Sequence, residues 1–155
     1  MSLAARVAHT IVQWSLALAV GGVMTVVHAA ETPEVSPMEI GGAVKVSAEE
    51  VFRLFEAIPG LVIVDSRLAN GPSSGRAQGF IEGSVSLPDT QTDCASLASV
   101  IPKKDTSALF YCNGPKCGRS AKAIEVARAC GYRKLYWFRG GFEEWREKGY
   151  PYVKH

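Results

Sequence analysis

Short apolar runs alternating with helix-length segments constrain this chain more than any other feature. Residues 61–64 (LVIV) are uninterrupted, as in a strand buried on both faces. Residues 109–111 lead into Cys112 as a further buried strand, and 135–138 (LYWF) form the last; 43–46 and 84–87 read as shorter strands. Helical segments lie between them. Ser47 precedes AEEVFRLFEA with Glu50 three residues on, a capping-box start, and Val51, Leu54, Phe55 and Ile58 recur at helical spacing. Pro59 and Gly60 stop this helix. A short helix is expected over 94–100, closed by Pro102, another over 120–130, ended by Gly131, and a last one within 142–149 (FEEWREKG). Such alternation gives an α/β fold of three layers, a parallel sheet of about five strands with helices on both faces. Ligands of these sheets sit beyond the carboxyl ends of the strands, which is where Cys112 falls.

The first 30 residues stand apart. Their only charged side chain is Arg6, and residues 11–27 are apolar or small with three uncharged polar interruptions. A basic start, an apolar middle and small residues before a polar stretch are expected of a secretory signal peptide, with an uncleaved N-terminal membrane anchor as the rival. The expected organisation is therefore residues 1–30 as leader or anchor, 31–42 as linker and 43–153 as one folded domain. That reading places the protein outside the cytoplasm, periplasmic or otherwise extracytoplasmic, and in contact with a membrane only if the leader stays attached. The 155 residues carry 47% hydrophobic side chains, enough for a core. A net charge of +2 without a long basic run argues against nucleic acid. The four cysteines, Cys94, Cys112, Cys117 and Cys130, allow three full pairings among which sequence does not choose. Disulfides would persist in an oxidising compartment and not in the cytosol.

Residues 110–123 (FYCNGPKCGRSAKA) carry the chemistry. A cysteine at the tip of a buried strand is held rigidly. Gly114 and Gly118 are expected to let the following backbone curl and turn its amides inward. A helix starting near Ser120 adds unpaired amides and the positive end of its dipole. Such a ring of N–H groups is an anion nest, and a thiol inside it should ionise readily, making Cys112 a nucleophile. Lys116 and Arg119 add positive charge at the rim.

This strand–cysteine–loop–helix unit resembles the active-site loop of rhodanese-like domains, single-domain sulfurtransferases. VDSR at 64–67 is similar to that family's Asp-x-Arg element, GFIEGSVSLP at 79–88 to its segment ending in Gly-Ala-x-Asn-Ile-Pro, and FRGGFEEWREKGYP at 138–151 to its closing Gly-Gly signature. The resemblance spans roughly residues 43–153 in the family's order. It implies that Cys112 takes a sulfane sulfur from a small anionic donor such as thiosulfate, holds it as a persulfide and passes it to a thiol or cyanide-like acceptor. It also implies that the backbone of Asn113, Gly114 and the residues through Gly118 stabilises the charged sulfur, that Arg119 attracts the donor, and that Ser120 starts the helix. No cofactor is required. The loop departs from the family in length, with Arg119 seven positions after Cys112, and in containing Cys117.

Several readings compete at these positions. Cys117 could pair with Cys112, resolve its persulfide or simply be exposed. Two local cysteines without a nearby histidine make a poor metal site, so none is expected. Cys130 falls in the last turn of an alanine-rich helix and reads as a core residue. Asp65 and Arg67 read as structural support for the neighbouring loops through charge-assisted hydrogen bonds. The rivals to sulfur transfer are a thiol–disulfide redox domain using Cys112 and Cys117, with a protein thiol as partner, a non-catalytic binding module, and phosphatase-like chemistry on the same fold.

Overall fold

In a computed structural model, residues 36–70 and 75–154 are described. The leader, residues 31–35 of the linker and residues 71–74 of the 70–79 loop lie outside the described residues. Five strands, β1 (Ala43–Lys45), β2 (Val62–Asp65), β3 (Val85–Ser86), β4 (Ala108–Tyr111) and β5 (Leu135–Phe138), form one parallel sheet in the order β1-β5-β4-β2-β3. Among the described residues four α-helices accompany them, three between strands, α1 (Ala48–Ala57), α2 (Cys94–Val100) and α3 (Arg119–Ala129), and one after β5, α4 (Gly141–Glu147).

Alternation along the strands sorts the core into two layers. Val64, Phe110, Leu135 and Trp137 face one side, where Leu97 and Ile101 of the α2 end and Ala123, Ile124 and Ala127 of α3 cover them. Ile63, Leu109, Tyr111 and Phe138 face the other side, against Ala48 and Val51 of α1 and Phe142 and Trp145 of α4. Each large apolar side chain so buried is worth roughly 1.5–3 kcal/mol, which makes the two-sided sheet the stable solution for these runs. The expected three-layer α/β architecture is the observed one.

The helix starts follow from local chemistry. Ser47 Oγ accepts from the Glu50 amide (3.3 Å), and Glu50 returns the favour by accepting from the Ser47 amide (2.7 Å). α2 has a second such box that sequence reading missed, between Asp93 and Ser96 (2.7 and 2.9 Å). The α1 face is narrower than its spacing suggests. Val51 is buried, but Phe52 and Phe55 are 36% and 37% exposed, with their rings against Trp145. The end of the expected linker is part of the folded body. Ile40 is in the core, and the Pro37 carbonyl accepts from Arg139 Nε (2.7 Å). No helix among the described residues is long and apolar enough to cross a membrane.

Candidate active site

β4 is flanked by β2 and β5, so its carboxyl end is fixed from both sides. Cys112 follows directly and is 2% exposed. The amides of Phe142 and Glu143, in the first turn of α4, donate to the carbonyls of Cys112 (2.9 Å) and Asn113 (2.7 Å). This clamp requires Gly141. Its φ is +62°, in the left-handed region, and a Cβ there would stand 2.5 Å from the Cys112 oxygen. The glycine pair in FRGG thus serves the Cys112 loop, not only the turn into α4. Beyond Asn113, the Cys117 amide donates to the Gly114 carbonyl (2.9 Å) and folds the chain back before α3 begins at Arg119.

The fold-back brings Cys112 and Cys117 together as a disulfide, with Cα atoms 6.2 Å apart. Cys94 and Cys130 form a second disulfide, Cα–Cα 5.5 Å, joining the first residue of α2 to the C-cap of α3. Cys130 is therefore a cross-link and not simply a core residue. It is still half-buried against the α2–α3 layer.

Other loop residues are placed differently from expectation. Neither Gly114 nor Gly118 has a positive φ, so neither provides the unusual backbone turn. Gly114 is needed for space instead, because a Cβ there would collide with the Glu143 side chain. Ser120 is the second residue of α3 and does not cap it. Its Oγ is buried and accepts from Trp137 Nε1 (3.0 Å), tying α3 to β5. Arg119 is half-buried and paired with Asp89 (2.7 Å), in the 3-10 turn after β3, so its charge is shared with a carboxylate. Lys116 is exposed and Asn113 half-buried.

Behind the loop, Asp65 anchors a buried network. Arg67 donates to both its carboxylate oxygens (2.9 and 2.7 Å) and to the Gly79 carbonyl (2.8 Å). Arg76 adds a third charge-assisted contact to Asp65 (3.0 Å) and holds Ser84 through its hydroxyl and carbonyl (2.9 and 2.7 Å). The Tyr111 hydroxyl donates to Asp65 (2.7 Å). Burial, and next the Asp65 charge, push the Tyr111 phenol well above its usual value, so it stays a neutral donor. Burial works against the Arg67 charge, yet its hydrogen bonds with Asp65 hold the guanidinium above its usual value. Asp65 and Arg67 therefore act as braces, and they fix the residue preceding Cys112. Sequence reading missed Tyr111, Arg76 and Ser84 as members of this network, and no local signal would have grouped them.

Ser66 continues this pattern on the other side of the strand. Its amide donates to the Tyr111 carbonyl (3.0 Å), which extends the Asp65–Tyr111 register and places Ser66 alongside Cys112. Its hydroxyl is fully buried and has no partner among the described residues. A cleft of about 570 Å³ opens beside Asn113, lined by Arg67 and Arg146 but also by Glu143 and Glu147, so charges of both signs border it.

The comparisons with known proteins agree with this fold. The Rhodanese-like domain family matches residues 47–148. No curated protein matches. A solved Bacillus halodurans protein is 20% identical over 72% of this chain and 77% of its own, with a TM-score of 0.62. The thiosulfate sulfurtransferase of Pseudomonas aeruginosa is 21% identical over 72% of this chain, TM-score 0.60, but the match covers only 20% of that longer protein. The polysulfide-sulfur transferase of Wolinella succinogenes is 20% identical over 74% of this chain and 80% of its own, TM-score 0.58. At these identities the shared property is the fold. With a family match over most of its length and the cysteine loop at the end of its central strand, the chain belongs to the rhodanese-like domain family.

Proposed function

We propose that this chain is an exported sulfurtransferase that loads a sulfane sulfur onto Cys112 from a small anionic donor such as thiosulfate. The persulfide then passes to a thiol or cyanide-like acceptor. The observation that carries the reading is the seat of Cys112, clamped between the end of β4 and the first turn of α4 and followed at once by the loop into α3. In the loading step the reduced Cys112 thiolate attacks the outer sulfur of thiosulfate; sulfite leaves and a persulfide remains. The relatives named above include two sulfurtransferases, which supports the class of chemistry. The disulfides support a place outside the cytosol, where cystines persist.

Mass spectrometry of the reduced Cys117→Ser protein, which keeps Cys112 as its only loop thiol, after thiosulfate exposure tests the proposal. A gain of one sulfur atom on Cys112, with release of sulfite, is the expected result, and Cys112→Ser should abolish both. No gain from thiosulfate or polysulfide would overturn it. The Cys112–Cys117 disulfide favours a second reading, a thiol–disulfide domain that never carries sulfane sulfur. In that case Cys112 stays unloaded, and the Cys117→Ser variant loses all redox cycling with a dithiol.

A further inference from the structure

Resting on the sulfurtransferase reading, we infer that Cys117 is a resolving thiol, so that the domain releases its sulfur as hydrosulfide and closes to the Cys112–Cys117 disulfide. Three observations carry this. The two cysteines have a Cα separation of 6.2 Å, inside the range a disulfide spans. Each is held in place: Cys112 by β4 and the α4 amides, Cys117 by its bond to Gly114 and by the start of α3. The other two cysteines are tied to each other across α2 and α3, so they do not compete. An outside acceptor must reach a sulfur on a residue that is 2% exposed, whereas the Cys117 thiol is in place within the same loop.

The step balances. The Cys117 thiol gives up its proton and attacks the inner sulfur, Cys112 Sγ, of the persulfide anion. The bond between Sγ and the outer sulfur breaks, and the outer sulfur leaves with the electron pair and the proton as hydrosulfide. Two cysteine thiols are thereby oxidised to one cystine, and the sulfane sulfur is reduced by two electrons. Resetting the site needs a dithiol reductant, either a small dithiol or a protein with two neighbouring cysteines, which exchanges with the exposed side of the loop at Cys117. Cys117 is half-buried where Cys112 is buried, so the reductant meets Cys117 first. The disulfide in the structure is then the spent state of the cycle.

The experiment uses the reduced full-length protein, thiosulfate as the only donor, no oxygen and no added acceptor. Sulfite, hydrosulfide and the mass of the Cys112 peptide are followed together. Wild type should release one hydrosulfide per sulfite and end as the Cys112–Cys117 cystine. Cys117→Ser, with Cys117→Ala as a second variant should the serine form misfold, should stop at the Cys112 persulfide. Its hydrosulfide release should be at least about 100-fold slower, because the intramolecular advantage of the neighbouring thiol is lost. Dithiothreitol should then free the hydrosulfide. A wild type that releases sulfite but keeps its persulfide as long as the variant does would overturn the inference and leave the sulfurtransferase reading standing. Absence of sulfite and of Cys112 loading from both thiosulfate and polysulfide would overturn that reading and the inference with it.

Discussion

Replacing both Cys94 and Cys130 by serine tests the largest single cross-link of the domain. The bridge closes a segment with a sequence separation of 36 and joins α2 to α3, whose inner faces meet the sheet through Leu97, Ile124 and Ala127. Chain-entropy arithmetic for a loop of that length gives about 4 kcal/mol, the freedom restored to the unfolded chain when the bridge is absent. That energy corresponds to an unfolding constant raised nearly a thousand-fold, or about three powers of ten. With a urea slope of about 2 kcal/mol/M, the midpoint should fall by about 2 M. Equilibrium urea unfolding should be compared in a background where Cys112 and Cys117 are serine, so that only one bridge varies. A loss below about 1 kcal/mol would refute the reasoning, because it would mean that α2 and α3 stay close in the unfolded chain without the bond.

Three further substitutions probe the frame of the site. Tyr111→Phe removes a donor from the buried Asp65 carboxylate and an acceptor from the Ser84 hydroxyl. It should cost about 1–3 kcal/mol in denaturant unfolding, and a neutral result would show that the phenol is dispensable to the network. Gly141→Ala puts a Cβ against the Cys112 carbonyl at a positive φ. It should destabilise by at least about 1–2 kcal/mol and slow sulfur loading on Cys112, and unchanged loading would sink the clamp. Ser66→Ala deletes a buried hydroxyl that has no partner among the described residues, so stability should stay level or rise by about 1 kcal/mol, whereas a clear loss would mean that the hydroxyl is bonded.

The frame of the fold is readable because its signals are local. Residues 135–138 form a strand with the expected bounds, and 94–100 a helix with the expected bounds, since apolar runs, caps and proline stops each act over a few residues. The seat of Cys112 at a strand end follows from the same signals. What escapes is non-local. Pairing Arg119 with Asp89 needs the start of α3 to meet a 3-10 turn 30 residues earlier, and the Tyr111–Asp65 bond spans 46 residues. Gly114 looks like a turn glycine, yet it is glycine because Glu143 of a later helix lies against it. Ser120 looks like a cap, yet it is the acceptor for a tryptophan on the neighbouring strand.

The two bridges are nested: Cys112–Cys117 lies wholly within the span closed by Cys94–Cys130. A chain oxidised in the order of its synthesis would join Cys94 to Cys112 as soon as both were available. Native pairing requires Cys94 to wait for Cys130, hence for α3, or else to be released by exchange from a wrong partner. The maturation of this domain is therefore tied to the order of folding and oxidation, and a reshuffling catalyst should speed its recovery from the fully reduced, unfolded chain.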